Sequence, residues 1–228
     1  MYILYTSVII IFKYAIFSIL NIELQTQQQV VLFMDPLDLW LQVLGVALLL
    51  IAYWVYRNFV KQPDAGINKA FAAGAIPLGV YILATGIWST ATWPLPGPYN
   101  ILFSDSWPLL GVVLISLGLA SWFSLLVRIV FYAYAGLSLP ILVYGVAIAY
   151  YHLTQEPELA AAMFILIGLA GLISPALATK WGRPIAMAII IMLAVAAVIA
   201  FFTGISASFA HIPRWAKWSP WYGKVVVG

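Results

Sequence analysis

The chain has 228 residues, of which 65% are apolar and 7% are charged, and its mean hydropathy is +1.05. Soluble domains carry roughly a quarter charged residues, so this composition excludes a soluble fold. The lack of cysteine excludes disulfides, thiolate metal sites and cysteine nucleophiles. The formal charge of +3 comes from scattered residues, which argues against a nucleic-acid partner.

Long apolar runs predict an all-α bundle in a membrane. A bilayer core of about 30 Å takes about 20 helical residues, and the strands of a membrane barrel are only about ten residues long. We therefore predict six core helices within a transmembrane domain at residues 34–206. Their expected ranges are 37–56, 68–90, 107–127, 129–151, 158–179 and 185–206.

Residues 1–33 are also apolar, but Lys13 lies in the middle of the segment and no basic region precedes it. This pattern is atypical of a signal peptide. Two interpretations stay open. The segment is either an extra N-terminal helix that begins in the cytoplasm, or an extension upstream of a true translation start at Met34.

If successive spans cross the membrane in opposite directions, the charged residues fall on two sides of the membrane. One side holds the cations Arg57, Lys61, Lys69, Arg128, Lys180 and Arg183, and the other holds the acids Asp35, Asp38, Asp105, Glu156 and Glu158. The positive-inside rule predicts that the basic loops are cytoplasmic. Arg214, Lys217 and Lys224 in the C-terminal tail, which this topology places outside, oppose the assignment but are outnumbered.

The predicted spans have no ionisable side chain in their central portions, which argues against proton relays and ion-coupled carriers. They do contain hydroxyl residues and glycines, including Gly111, Gly118, Gly136, Gly145, Gly168 and Gly171. Such residues let membrane helices approach closely, and we expect this structural role. The alternative is that the hydroxyl groups line a path through the bundle for an uncharged solute. In that case kinks at Pro77, Pro140 and Pro175 would shape a cavity.

The loop between the second and third spans, residues 91–106, is the first candidate binding site. Its prolines forbid a continuing helix, and it combines Trp93, Tyr99, Asn100 and Asp105. We expect it to fold back on the bundle, and loops often carry function. The alternative is that its aromatic residues only anchor the membrane interface.

No catalytic motif is present, and we predict no catalytic residue, no metal and no cofactor. His152 and Glu156 are spaced as metal ligands could be, and His211 and Asp105 would complete a site only if the fold joined these segments. We favour the alternative, in which His152 and Glu156 belong to a solvated loop before the fifth helix.

The tail at residues 207–228 contains Trp215, Trp218 and Trp221 with basic residues interleaved. Aromatic and basic residues together favour the headgroup layer. We therefore predict a Trp-rich interfacial segment on the outer leaflet. The same residues would suit docking of a partner subunit.

One segment resembles a known family. The run Thr-Trp-Pro-Leu-Pro-Gly-Pro-Tyr-Asn-Ile at residues 92–101, followed by Phe103, Asp105 and a glycine-containing helix, is similar to uncharacterised multispanning membrane proteins of archaea and bacteria, the family called domain of unknown function 981. The resemblance implies a membrane location and a shared outer loop. The resemblance implies no activity, cofactor or catalytic residue for this sequence.

Three functional hypotheses follow. The first is a noncatalytic multi-pass protein of the plasma membrane, a subunit or scaffold whose partners are the bilayer and other protein subunits. The second is a carrier or channel for a neutral or lipid-like solute. The third is an outer-face metal-dependent enzyme. The first is the leading hypothesis, and the third is the least favoured.

Overall fold

The computed structural model describes residues 36–125 and 127–215, and in these two stretches the chain is all-α. The predicted fold class and the six core helices are confirmed. The helices are α1 Leu37–Val55, α2 Ala65–Thr92, α3 Ser106–Phe123, α4 Arg128–Tyr151, α5 Pro157–Leu172 and α6 Gly182–Trp215. Short π-helical turns follow α1 at Tyr56–Val60 and precede α3 at Asn100–Ser104, and a 3-10 turn follows α5 at Ser174–Ala178. The two interpretations of residues 1–33 concern a segment outside the described residues.

Local chemistry explains several helix ends. Asp64 caps α2, because its Oδ1 accepts a hydrogen bond from the Ile67 N–H at 2.8 Å. Pro157 occupies the first position of α5, where a missing N–H has no consequence. At the other end of α2, Trp93 adopts a left-handed backbone with φ 53°. The proline-rich segment after it continues as a loop, as predicted.

Three helices end differently from the prediction. α3 ends at Phe123 rather than at residue 127. α5 stops at Leu172 and tightens into the 3-10 turn, since Pro175 cannot donate the hydrogen bond that would extend it. α6 continues past Ser206 to Trp215, so the first part of the predicted interfacial tail is helical. No proline occurs in α6 between Pro184 and Pro213. The extension also contacts α1, because Gln42 Nε2 donates to Ser208 Oγ at 3.0 Å.

The helices pack as three antiparallel pairs, α1 with α6, α2 with α3, and α4 with α5, and α5 also packs on α6. Small residues mark where the backbones meet. In the α2–α3 pair, a Cβ atom built on Gly79 would lie 3.0 Å from the Gly111 carbonyl oxygen. In the α4–α5 pair, a Cβ on Gly145 would lie 2.9 Å from the Ile165 nitrogen.

The prediction that small residues allow close helix packing is confirmed for five glycines and is wrong for one. Gly111, Gly118, Gly145, Gly168 and Gly171 each lie against a neighbouring helix. At Gly136, however, an added Cβ would meet no atom within 4 Å. The sequence pattern could not distinguish a glycine at a helix crossing from one on an open face.

The outer faces of the helices are apolar. Ile129 is 80% exposed and Val198 is 67% exposed. Soluble proteins rarely expose contiguous apolar surface on this scale, whereas lipid chains solvate it without a cost. Together with the short turns that adjoin α1, α3 and α5, all six helices are long and apolar enough to cross a bilayer, so the chain is a multi-pass membrane protein.

The two ends of the bundle differ in charge. Because the helices alternate in direction, the basic end holds Arg57, Lys61, Lys69, Arg128, Lys180 and Arg183, and the acidic end holds Asp38, Asp105, Glu156 and Glu158. At the basic end, the amides of Asn58 and Asn68 exchange two hydrogen bonds of 3.0 Å each. This pair joins the turn after α1 to the start of α2.

Candidate functional site

The loop at residues 91–106 packs back on the bundle, as predicted. The Tyr99 hydroxyl accepts a hydrogen bond from the Gln155 N–H at 2.8 Å, and its ring stacks on Phe103 at 5.9 Å between centroids. Phe103 in turn meets the Phe164 ring of α5 edge-on at 5.3 Å. These contacts tie the loop to the α4–α5 connection and to α5.

The four candidate binding residues of this loop occupy different environments. Trp93 is 56% exposed, and Asp105 and Tyr99 are half-buried. Asn100 is fully buried, and its Oδ1 accepts hydrogen bonds from the Leu95 N–H at 3.1 Å and from the Ser104 hydroxyl at 3.3 Å. A molecule that approached this loop from solvent would meet Trp93 first and could not reach Asn100.

The histidines lie in separate places. His152 ends α4 with a left-handed backbone and is exposed, as is Glu156 before α5. His211 Nδ1 lies 2.9 Å from Asp38 Oδ2 on α1. Among the described residues, no three His, Asp or Glu side chains form a group that could hold a metal ion. The fold therefore does not unite His152, Glu156, His211 and Asp105.

Of the predicted tail anchors, Trp215 forms the last described residue of α6. Trp218 and Trp221 lie outside the described residues, so their interfacial role stays a prediction.

A cavity of about 150 Å³ lies between α1, α3, α4, α5 and α6. None of residues 65–92, which form α2, contributes to its lining. The lining residues of α1 recur every three or four positions and form one face of that helix. They are Leu37, Trp40, Leu41, Leu44, Leu48, Ile51, Trp54 and Val55.

The other helices complete an almost wholly apolar wall. α4 presents Ile141, α5 presents Met163 and Phe164, and α6 presents Ile189 and Leu193. The lining contains no Asp, Glu, Lys, Arg or His within the part of the chain that the structure describes. Such a cavity favours an uncharged, hydrophobic occupant.

Four hydroxyl groups line the cavity, and each has a hydrogen-bond partner within the protein. Three serines donate to helix carbonyls, and the tyrosine pairs with a serine on α3. The pairs are Ser106 Oγ to Leu102 O (2.6 Å), Ser138 Oγ to Tyr134 O (2.7 Å), Ser174 Oγ to Phe131 O (3.2 Å) and Tyr134 Oη with Ser116 Oγ (2.8 Å). Because these protons are already engaged, the serine hydroxyls add little polarity to the lining.

Tryptophans at both ends of the cavity join α1 to α3. At the acidic end, Trp40 stacks on Trp107 with 5.1 Å between ring centroids and 16° between planes, and Trp107 Nε1 donates to Thr85 Oγ1 at 2.9 Å. At the basic end, Trp54 Nε1 donates to Ser121 Oγ at 2.7 Å.

The residues that line the cavity were not predicted from the sequence. Their signal was the i, i+3, i+4 recurrence of leucine and tryptophan on α1, which is informative in a soluble helix. In a membrane helix the opposite face is equally apolar. For example, Leu48 is 1% exposed and lines the cavity, whereas its neighbour Leu49 is 45% exposed.

Comparisons with known proteins agree with the resemblance seen in the loop. Neither a search of curated proteins nor a search of solved structures found a match. A family described as "Protein of unknown function (DUF981)" matches residues 30–214, which include all six membrane helices except the last residue of α6. The chain therefore belongs to the DUF981 family of proteins of unknown function.

Proposed function

We propose that this protein binds the hydrocarbon chain of a lipid-like solute in its central cavity, as a carrier or receptor for that solute within the membrane. The observation that carries the proposal is the cavity of about 150 Å³ with its apolar, charge-free lining. An apolar cavity of about this size in a soluble protein stays dry and takes up small hydrophobic molecules. A lipid chain is the hydrophobic molecule that surrounds this bundle on all sides.

The length of the cavity lining supports the binding of an extended hydrocarbon chain. On α1 the lining runs from Leu37 to Val55, which is roughly 27 Å at a rise of 1.5 Å per residue. The hydrocarbon core of a bilayer is about 30 Å thick. A chain that lay parallel to α1 could therefore remain inside the protein across most of the membrane.

A phospholipid with a photoactivatable diazirine in one acyl chain tests this proposal. After illumination of the purified protein in detergent micelles, we expect adducts on cavity residues such as Leu44, Leu48 and Met163. An excess of the unlabelled lipid should remove these adducts. Adducts on lipid-facing residues such as Val143 and Val198 should be less sensitive to competition. Labelling confined to the lipid-facing residues would contradict the proposal.

Filling the cavity should block this labelling. Ile141 lines the cavity on α4 and is 9% exposed, whereas Val143 on the same helix is 61% exposed. We expect Ile141→Trp to reduce cavity adducts several-fold, because the indole occupies the space of the acyl chain. Val143→Trp is the matched control and should leave them unchanged. If Ile141→Trp folds and cavity labelling persists, the solute does not bind there.

We also propose that the basic end faces the cytoplasm and that the membrane is the plasma membrane. The separation of the charges supports this orientation. Since the protein has no cysteine of its own, a single introduced cysteine can be labelled without interference from native thiols, and its labelling shows on which side of the membrane it lies. We expect a membrane-impermeant maleimide to label Gln155→Cys, at the acidic end, in intact cells. It should label Trp181→Cys, at the basic end, only after permeabilisation; the reverse pattern would invert the topology.

A subunit or scaffold role is the second candidate, and α4 favours it. This helix has an exposed strip at helical spacing that includes Tyr132, Gly136, Val143 and Tyr150. The open space at Gly136 would admit the backbone of a partner's membrane helix. Gentle solubilisation followed by mass measurement of the purified protein tests this role. A monomer with no copurifying protein would contradict it.

A further inference from the structure

The π-helical turn Tyr56–Val60 lies at the basic end of the cavity. It follows directly after Val55, the last residue of α1 that lines the cavity, and it packs on α6. The centroid of the Phe59 ring lies 5.9 Å from that of Trp54 and 5.8 Å from that of Phe131, and both of these residues line the cavity. Departures from α-helical geometry of this kind often occur at functional sites. The turn therefore joins the apolar cavity to the charged end of the bundle.

Arg57, in the same turn, carries a charge that no described residue neutralises. The residue is partly exposed, but its Nε is buried and has no hydrogen-bond partner within residues 36–125 and 127–215. Of the five acids in these ranges, only Asp64 lies at the basic end, where its Oδ1 caps α2. Arg57 and Asp64 form no ion pair. A buried donor without an acceptor destabilises the fold, and the cost is larger when the donor is charged. An acceptor from outside the described residues would remove that cost.

Two further cations are close in sequence to lining residues at this end. Three separate segments each supply one cation within three positions of a residue that lines the cavity. The pairs are Arg57 with Val55, Arg128 with Phe131, and Lys180 with Leu177. Positive charge is therefore concentrated at the basic end, next to a lining that itself has no charged residue among those described.

We propose that Arg57 binds the phosphate of a membrane lipid whose hydrocarbon chain lies in the cavity. This inference rests on the proposed function, and it narrows the ligand from any lipid-like solute to one with an anionic phosphate headgroup. The apolar lining takes the chain, and the phosphate stays outside the lining, because burial of its charge there would be costly. Arginine suits this role, since a guanidinium donates two parallel hydrogen bonds to a phosphate. Basic pockets between membrane helices are known to bind lipid headgroups.

Competition between two lipids tests the inference. The detergent-solubilised full-length protein would be labelled with the diazirine phospholipid in the presence of dioleoyl phosphatidic acid or dioleoylglycerol, which share both chains and differ in the phosphate. We expect phosphatidic acid to suppress labelling of the cavity residues at a concentration roughly five- to tenfold lower than dioleoylglycerol. This effect lies between those of an exposed ion pair and of a charge-assisted hydrogen bond. Equal potency would overturn the inference while leaving the proposed function intact, and failure of both lipids to compete would overturn both.

Inorganic phosphate distinguishes a lipid headgroup from a free anion. At the concentrations used for phosphatidic acid it should leave the labelling unchanged, because it has no chain. Suppression of the labelling by phosphate alone would assign Arg57 to a free anion and contradict the inference.

Substitutions assign the preference to Arg57. Arg57→Gln removes Nε and the charge, so we expect phosphatidic acid to lose its advantage while dioleoylglycerol competes as before. Lys69→Gln is the matched control, because it removes one positive charge from the same end on α2, which does not line the cavity. This variant should keep the preference. A preserved preference in Arg57→Gln, or an equal loss in Lys69→Gln, would contradict the assignment. If Arg57→Gln does not fold, the comparison of the two lipids on the unaltered protein still decides whether a phosphate is recognised.

Discussion

Replacing Gly111 with alanine is expected to lower the free energy of unfolding by about 1–3 kcal/mol, the usual range for overpacking. A Cβ at this position would lie 2.6 Å from the Leu83 nitrogen and 2.9 Å from the Gly79 carbonyl oxygen. Both atoms belong to the backbone of α2. No side-chain rotation can relieve the contact, so the α2–α3 pair must separate along its length.

Gly136→Ala on α4 is the matched control, because an added Cβ there meets nothing within 4 Å. Alanine is the better helix former by up to about 1 kcal/mol on scales measured in water, so this variant should be neutral or slightly more stable. Unfolding in a titration of sodium dodecyl sulfate, followed by circular dichroism, measures both variants. Similar losses at the two positions would show that helix packing is not the role of Gly111.

The helices were predictable because lipid imposes a strict length and polarity on them. The apolar run from Leu37 and the proline-rich segment after Trp93 each specify a boundary without reference to any distant residue. The end of α6 was not predictable in the same way. Polar residues such as Ser208 and His211 lower the hydropathy there, yet the helix continues, since Ser208 and His211 meet Gln42 and Asp38 on α1.

The cavity was not predictable because the bilayer removes the contrast on which amphipathic patterns depend. Lipid-facing and protein-facing positions are both apolar, so hydrophobic periodicity cannot assign them. Only the three-dimensional arrangement distinguishes Ile141 in the wall of the cavity from Val143 in the lipid.

The candidate loop shows a third limit of prediction from the sequence. The sequence predicted that this loop folds back on the bundle, and its contacts with Gln155 and Phe164 agree. An asparagine in a loop is usually solvated, however, and no local pattern indicated that Asn100 would be fully buried. Leu95 and Leu102 of the same segment are also buried, each 3% exposed.

Replacing Asn100 with alanine is therefore expected to loosen the loop by about 1–3 kcal/mol. The change removes Oδ1, the acceptor for the Leu95 N–H at 3.1 Å, and leaves that donor buried without a partner. Asn100 Nδ2 has no acceptor among the described residues, so the stabilising contribution comes from Oδ1 alone. We expect hydrogen exchange at the Leu95 amide to accelerate roughly 5- to 150-fold, the equivalent of this free energy.

Ser104→Ala provides the control for that measurement. It removes only the 3.3 Å hydrogen bond from the Ser104 hydroxyl to Oδ1 and preserves the acceptor for Leu95. Exchange at Leu95 should then change by less than about tenfold, because a single neutral hydrogen bond contributes about 1 kcal/mol. If Ser104→Ala accelerates exchange as much as Asn100→Ala does, Asn100 is not the residue that organises the loop. Since Phe103 of the same segment lines the cavity, a loop loosened by Asn100→Ala should also reduce labelling of the cavity residues by the diazirine phospholipid.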